Sequence, residues 1–209
     1  MPKSSKRLVL DADRADVGAI ILAAGASTRM SGPKQLLQFD GEPMLRRAAR
    51  VALEADCRPV VVVTGASAAA SREALRGLDV REAENKQWKS GMSSSVRVGV
   101  EAIVATNSRI TAVVLMLCDQ PFVTRDIIDR LVRTHLEKSF SIVACRYGRS
   151  YGVPALFGKM HFAELMKLEG TGGAKKIIQK HLRKVHFLPF PEGKIDIDTR
   201  EDFARLKTS

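Results

Sequence analysis

Two kinds of side chain in this sequence stand where phosphate chemistry could use them. The first are cations in a loop of small residues. The run from Ile21 to Gln35 reads ILAAGASTRMSGPKQ and carries Arg29 and Lys34 after Ala23, Ala24, Gly25 and Ser27. Small residues let backbone N–H groups approach an anion closely. Arg29 adds a forked set of donors and Lys34 a mobile point charge. The second kind are carboxylates. Asp119 ends a long apolar run, where an open sheet usually meets its ligand. Buried without a partner it would be costly, and a metal ion would remove that cost. In Asp196-Ile197-Asp198-Thr199 the two acids alternate, so a strand would turn both to one face. Asp119 and a carboxylate from this tail could share Mg2+ with a triphosphate.

The opening loop matches neither familiar phosphate pattern. A Walker loop requires Gly-x-x-x-x-Gly-Lys-Ser/Thr, and Met30 stands at its second glycine. The dinucleotide fingerprint requires Gly-x-Gly, and Ser27 occupies its second glycine. A second anion-type feature lies later. Gly170-Thr171-Gly172-Gly173 leads into a segment rich in Lys175, Lys176, Lys180, Arg183 and Lys184, whose helical N-terminus would present N–H groups to an anion. His181 and His186 have no acid or cysteine at ligand spacing, and His135 lies near the end of an amphipathic helix; all three read as structural. No serine sits in a Gly-x-Ser-x-Gly setting.

The bulk numbers narrow the classes. The chain has 209 residues, 45% hydrophobic, enough for one sizeable core. Its net charge of +11 suits polyanionic ligands. With 5% aromatic residues, no zinc-finger spacing and no RNP-like run, nucleic acid is not an expected partner. Cys57, Cys118 and Cys145 lie in or beside apolar runs, as buried reduced thiols do. No run is long enough to cross a membrane, so none is an expected partner. Residues 1–17 read as a flexible extension without a signal-peptide core, and 18–209 as one domain. A cytoplasmic location is expected.

These side chains need a scaffold, and the hydrophobic rhythm supplies one. Strands are expected over 17–23, 59–64, 80–83, 111–118, 141–145, 185–188 and 195–197. Helices are expected over 43–55, 67–75, 124 onward (capped by Thr124), 162–168 and 200–206, with others opening at Gly91 and after Gly173 and the last of these running through Leu182. Residues 148–157 read as a hairpin or an active-site loop. Strands alternating with helices indicate an α/β fold with a mainly parallel sheet covered on both faces.

Taken in order, the motifs add up. Leu22-Ala23-Ala24-Gly25-x-Ser27-x-Arg29-Met30 and Pro33-Lys34-Gln35-Leu36-Leu37 are followed by Trp88-x-x-Gly91-x-x-x-Ser95 and Cys118-Asp119-Gln120-Pro121. Then come Gly152-x-Pro154-Ala155-Leu156-Phe157, Gly170-x-x-Gly173-Ala174-Lys175 and Asp196-Ile197-Asp198-Thr199-x-Glu201-Asp202. The ordered set resembles the MobA-like nucleotidyltransferases, most closely the molybdenum cofactor cytidylyltransferase branch. The resemblance implies a three-layer Rossmann-like nucleotidyltransferase fold. It implies Mg2+-dependent transfer of CMP from CTP to the terminal phosphate of molybdopterin, releasing pyrophosphate, with a molybdoenzyme as a further partner. Carried onto this chain, it makes Arg29, Lys34 and Asp119 catalytic. Ala23, Ala24, Gly25, Ser27 and Ser95 would bind nucleotide, and Asp119 and Asp198 the metal, with Asp196 as the alternative. Gly170, Gly173 and Lys175 would receive the acceptor. Guanylyltransferase members carry Leu-Ala-Gly-Gly where this chain has Leu-Ala-Ala-Gly, which favours cytidine. Thr171 and Lys175 replace the family's Asp and Arg, and Arg200 its proline. Another nucleoside triphosphate, a sugar or polyol phosphate acceptor, and a non-catalytic binding factor stay open as alternatives.

Overall fold

The runs Val60–Thr64 and Ala112–Leu117 are almost purely apolar and are buried along nearly their whole length. Strands of that kind need cover on both faces, which parallel pairing with crossover helices provides. The computed structural model describes residues 16–27, 32–55 and 57–195. Its strands are Val17–Leu22 (β1), Gln38–Phe39 (β2), Glu42–Pro43 (β3), Val60–Thr64 (β4), Arg81–Glu84 (β5), Ala112–Leu117 (β6), Ile142–Tyr147 (β7), Ser150–Gly158 (β8) and Val185–Pro189 (β9). Strands β2 and β3 form a small antiparallel pair, and the others one seven-stranded sheet in the order β5-β4-β1-β6-β8-β7-β9. Only β8 runs antiparallel to its neighbours β6 and β7 within this sheet.

Alternation along each strand divides the core in two. From β1, Ala19 and Ile21 enter one cluster, while Ile20 and Leu22 enter the other. The first cluster takes Leu45 and Ala49 of helix Met44–Glu54 (α1), Leu75, which follows the short helix Ala68–Ala74 (α2), and other apolar neighbours. Helix Met92–Thr106 (α3) packs on the opposite face through Val96, Val100 and Ile103. Gly99 lets α3 ride close to the sheet, since a Cβ there would meet Ile20 at 2.4 Å. Helix Arg125–Lys138 (α4) joins the first cluster through Ile128 and Leu131. The short helices Phe162–Met166 (α5) and Lys175–Lys180 (α6) join the second. The result is helix, sheet, helix, as the alternating pattern predicts. Among the described residues no helix is long and apolar enough to cross a membrane.

Several expectations shift in detail. Val17 is fully buried in β1, and the Asp16 carbonyl accepts from Thr111 N–H at 2.8 Å, so the ordered domain begins before residue 18. Thr124 occupies the N-cap of α4, but its side chain makes no capping hydrogen bond. Residues 148–157 form the hairpin of β7 and β8 rather than an open loop. Helix α6 ends at Lys180 and a 3-10 turn, Leu182–Lys184, follows. The expected strand 195–197 and helix 200–206 lie, apart from Ile195, outside the described residues; Ile195 itself is in no strand.

Strand β8 contains Pro154, which has no N–H for a ladder. The pairing accommodates it by a register shift: Ala144 faces Ala155 while Cys145 faces Gly152. Val153 and Pro154 therefore stand outside the ladder to β7. The Val153 carbonyl is free to serve another partner, and that partner belongs to the site.

Candidate active site

Strands β1 and β6 are parallel neighbours, pairing Leu22 with Leu117, so their C-terminal ends arrive side by side. The chain then leaves β1 through Ala23, Ala24 and Gly25 and β6 through Cys118 and Asp119. Backbone bonds keep both exits close to the sheet: Ala23 N–H donates to Val63 O at 2.9 Å and Cys118 N–H to Leu22 O at 3.4 Å. These residues line a cavity of about 240 Å3, together with Lys34, Gln35, Trp88, Gly91, Met92 and Ser95. The cavity lies where open α/β sheets bind their ligands.

Lys34 reaches this cavity because the loop is closed behind it. Ser27 adopts a left-handed φ of 53°. Its hydroxyl accepts from Lys34 N–H at 2.9 Å and donates to Gln35 Oε1 at 3.3 Å. Ser27 thus ties the loop's start to its end instead of lining the cavity itself. Lys34 Nζ then donates to Asp119 Oδ2. The two side chains are 20% and 10% exposed, so the pair is only partly screened by water. Asp119 Oδ1 is buried with no hydrogen-bond partner among the described residues. Leaving such an atom unsatisfied costs about 1–3 kcal/mol or more. A hard divalent cation at that oxygen would supply the missing interaction, so the donor set fits Mg2+ or Mn2+.

The turn that carries Asp119 is held from three sides. Arg47 Nε donates to Pro121 O at 3.0 Å. Gln120 Nε2 donates to Val153 O at 3.2 Å and to Gly193 O at 3.3 Å. The first of these acceptors is the carbonyl released by the β8 irregularity. Burial, reinforced by the Asp119 charge, pushes the Cys118 thiol well above its ordinary range, so it stays protonated beside the cavity.

The opposite wall is built by Asn85 and the start of α3. Asn85 Nδ2 donates to Ser94 Oγ at 2.8 Å and Ser95 Oγ at 2.9 Å, while its Oδ1 accepts from Gln87 N–H at 2.9 Å. Ser95 Oγ therefore accepts from Asn85, which leaves its own proton to donate to a ligand. Gly91 has φ 103°, and a Cβ there would strike Gly170 O at 2.8 Å. Ser93 N–H donates to that same carbonyl at 3.2 Å. Ser93 Oγ donates to Glu169 O at 3.1 Å and accepts from Gly173 N–H at 3.3 Å.

Ala23, Ala24, Gly25, Lys34, Ser95 and Asp119 all line one cavity. Gly170 and Gly173 dock on its rim through Gly91 and Ser93. Lys175 is not among the lining residues; its ammonium sits 5.5 Å from the Tyr151 ring centre. Helix α6 is six residues long, and the Gly173 N–H is already engaged by Ser93. Arg29, Asp196 and Asp198 lie outside the described residues.

Other roles were invisible in local spacing. Asn85 acts through Ser94 and Ser95 at the start of α3, and Gln120 and Ser93 through partners far along the chain. His181 has no acid at ligand spacing along the chain, yet the fold brings its Nε2 to 2.9 Å from Glu164 Oε1. That pair spans 17 positions, beyond any helical ligand spacing.

Residues 19–185 match the family model described as the MobA-like NTP transferase domain. Nicotine blue oxidoreductase of Paenarthrobacter nicotinovorans is 36% identical over 126 residues, which are 60% of this chain and 60% of that relative's length. The crystal structure of Rv0371c from Mycobacterium tuberculosis H37Rv superimposes with a TM-score of 0.76 at 32% identity, covering 92% of this chain and 98% of that one. Its complex with manganese gives a TM-score of 0.74 at 32% identity, covering 93% and 99%. The chain belongs to the MobA-like NTP transferase family.

Proposed function

We propose that this protein transfers CMP from CTP to the terminal phosphate of a molybdopterin-type acceptor and releases pyrophosphate. One observation carries the reading: Asp119 faces the cavity with Lys34 on one oxygen and, among the described residues, no hydrogen-bond partner on the other. Asp119 would hold Mg2+ there, with Asp198 as the tail carboxylate. The ion supplies charge neutralisation on the phosphate oxygens when bound. The Rv0371c complex with manganese supports a divalent cation at this fold.

The nucleophile is an oxygen of the acceptor phosphate, already anionic at neutral pH. It forms a bond to the α-phosphorus, the bond to the bridging oxygen breaks, and pyrophosphate leaves with that electron pair. No histidine or serine nucleophile is needed. Lys34 and Arg29 neutralise charge on the leaving end. The backbone of Ala23 to Gly25 cradles the nucleotide, and Ser95 donates its free proton to it. Ala24 lines the cavity at the position where guanylyltransferase members carry glycine. This supports cytidine over guanosine.

The test is pyrophosphate release from Mg2+, each nucleoside triphosphate and molybdopterin. Release with CTP alone is expected. Release only with another triphosphate, or with a sugar or polyol phosphate, reassigns that substrate. Tight binding without release would make the protein a carrier.

A further inference from the structure

Three ligand-type side chains converge outside the cavity, between α5 and α6. His161, Glu164 and His181 each place one donor atom within 4.8 Å of the others. Glu164 Oε1 lies 2.9 Å from His181 Nε2 and 3.4 Å from His161 Nδ1. We infer that these residues form a site for a divalent transition metal, for which zinc is the best-suited ion.

Two imidazoles and one carboxylate are a zinc donor set that leaves a fourth position for water. With bonds of about 2.0–2.1 Å, tetrahedral ligand atoms stand roughly 3.3 Å apart. The two Glu164 distances are already near that value, and a turn of the His181 ring closes the remaining pair. His181 is 24% exposed and gives the ion its entry path, whereas His161 is only 5% exposed. The buried ring has an orienting partner: His161 Nε2 lies 3.0 Å from Ser141 Oγ. With the proton on Nε2, Nδ1 turns its lone pair toward Glu164, the arrangement that metal-bound histidines favour. Lys180 occupies the other carboxylate oxygen, Nζ to Oε2 at 2.6 Å, and leaves Oε1 for the ion.

The site would clasp the two ends of one segment. His161 and Glu164 precede the Gly170–Gly173 turn and His181 follows it. That turn sits on the cavity rim through Ser93. A metal here braces the acceptor-side rim without touching the reacting atoms.

The test uses the full chain carrying Asp119→Asn, so that any ion at the nucleotide site is not counted. After chelation, calorimetric titration with Zn2+ should give one site per chain, and Co2+ should develop visible d–d bands. His181→Ala and Glu164→Gln should each abolish the saturable binding. Ser141→Ala should weaken it about tenfold or more, as for an orienting partner. Lys180→Ala should tighten it roughly tenfold, because a neighbouring positive charge is removed. A hydrogen-bonded network without metal predicts otherwise. Absence of saturable binding in the parent, or equal binding in His181→Ala and Glu164→Gln, overturns the assignment.

Discussion

Among the described residues, two lysine–carboxylate pairs look alike as contacts and differ in what surrounds them. Lys34 and Asp119 meet at the C-terminal edge of the sheet, and one Asp119 oxygen is buried with no hydrogen-bond partner among the described residues. Lys180 and Glu164 meet between two short helices, where both Glu164 oxygens have partners in Lys180, His161 and His181. Glu164 is held down to about 2, first by the hydrogen bond from Lys180. In the metal-free protein the Glu164 oxygens already have protein partners. The unsatisfied buried oxygen of Asp119 favours whatever completes it.

The largest expected effect separates the two carboxylates. Asp119→Ala should lower turnover about a thousandfold or more, the scale of losing a charge-stabilising group. Its melting temperature should hold or rise, since a strained polar atom is removed. A fall in melting temperature with retained turnover would make Asp119 structural. Lys34→Ala should cost about a hundredfold in kcat/KM for the triphosphate, with little recovery in Lys34→Arg, measured by steady-state pyrophosphate release.

Ser27→Ala tests the staple behind Lys34. Losing a hydrogen bond worth about 1 kcal/mol should lower kcat/KM several-fold without unfolding the protein. Unchanged kinetics would mean that Lys34 needs no such support.

The second pair should speak through pH. In chelated protein, Glu164 is ionised well below the ordinary 4.5. The unfolded chain therefore binds more protons between about 4.5 and 2, so this contribution is present above that window and lost as pH falls through it. Urea midpoints should show a shallower acid loss in Glu164→Gln than in the parent. Smallest of all is Lys180→Ala. Its ammonium is 65% exposed, so stability at neutral pH should change by no more than about 0.5 kcal/mol.

How far the sequence discloses these two regions follows from physics. Strands β4 and β6 are legible because burial on both faces demands an unbroken apolar run. Strand β8 is less legible, since Gly152 and Pro154 interrupt the pattern that its neighbours preserve. Asp119 can be singled out because it closely follows a strand end, and Lys34 because it belongs to the same ordered set of motifs. Their contact joins positions 85 apart and needs the parallel pairing of β1 with β6. Gln120 lies in the same motif as Asp119, but its partners Val153 and Gly193 are brought near only by the fold. His161 and Glu164 stand three apart on the chain, while the contact of Glu164 with His181, 17 positions on, leaves no trace in local spacing.

The irregularity at Val153 and Pro154 makes strand length a functional variable. Leu156 points into the first core cluster, and Ala155 and Phe157 into the second. Deleting one of the two extra residues would turn these side chains over unless the strand slid instead. Either outcome would move the carbonyl that steadies Gln120, one position from Asp119. The turn that carries Asp119 is thereby indexed to the packing of a strand that contributes no side chain to the cavity. An insertion or deletion there would register as lost turnover even where every site residue is intact.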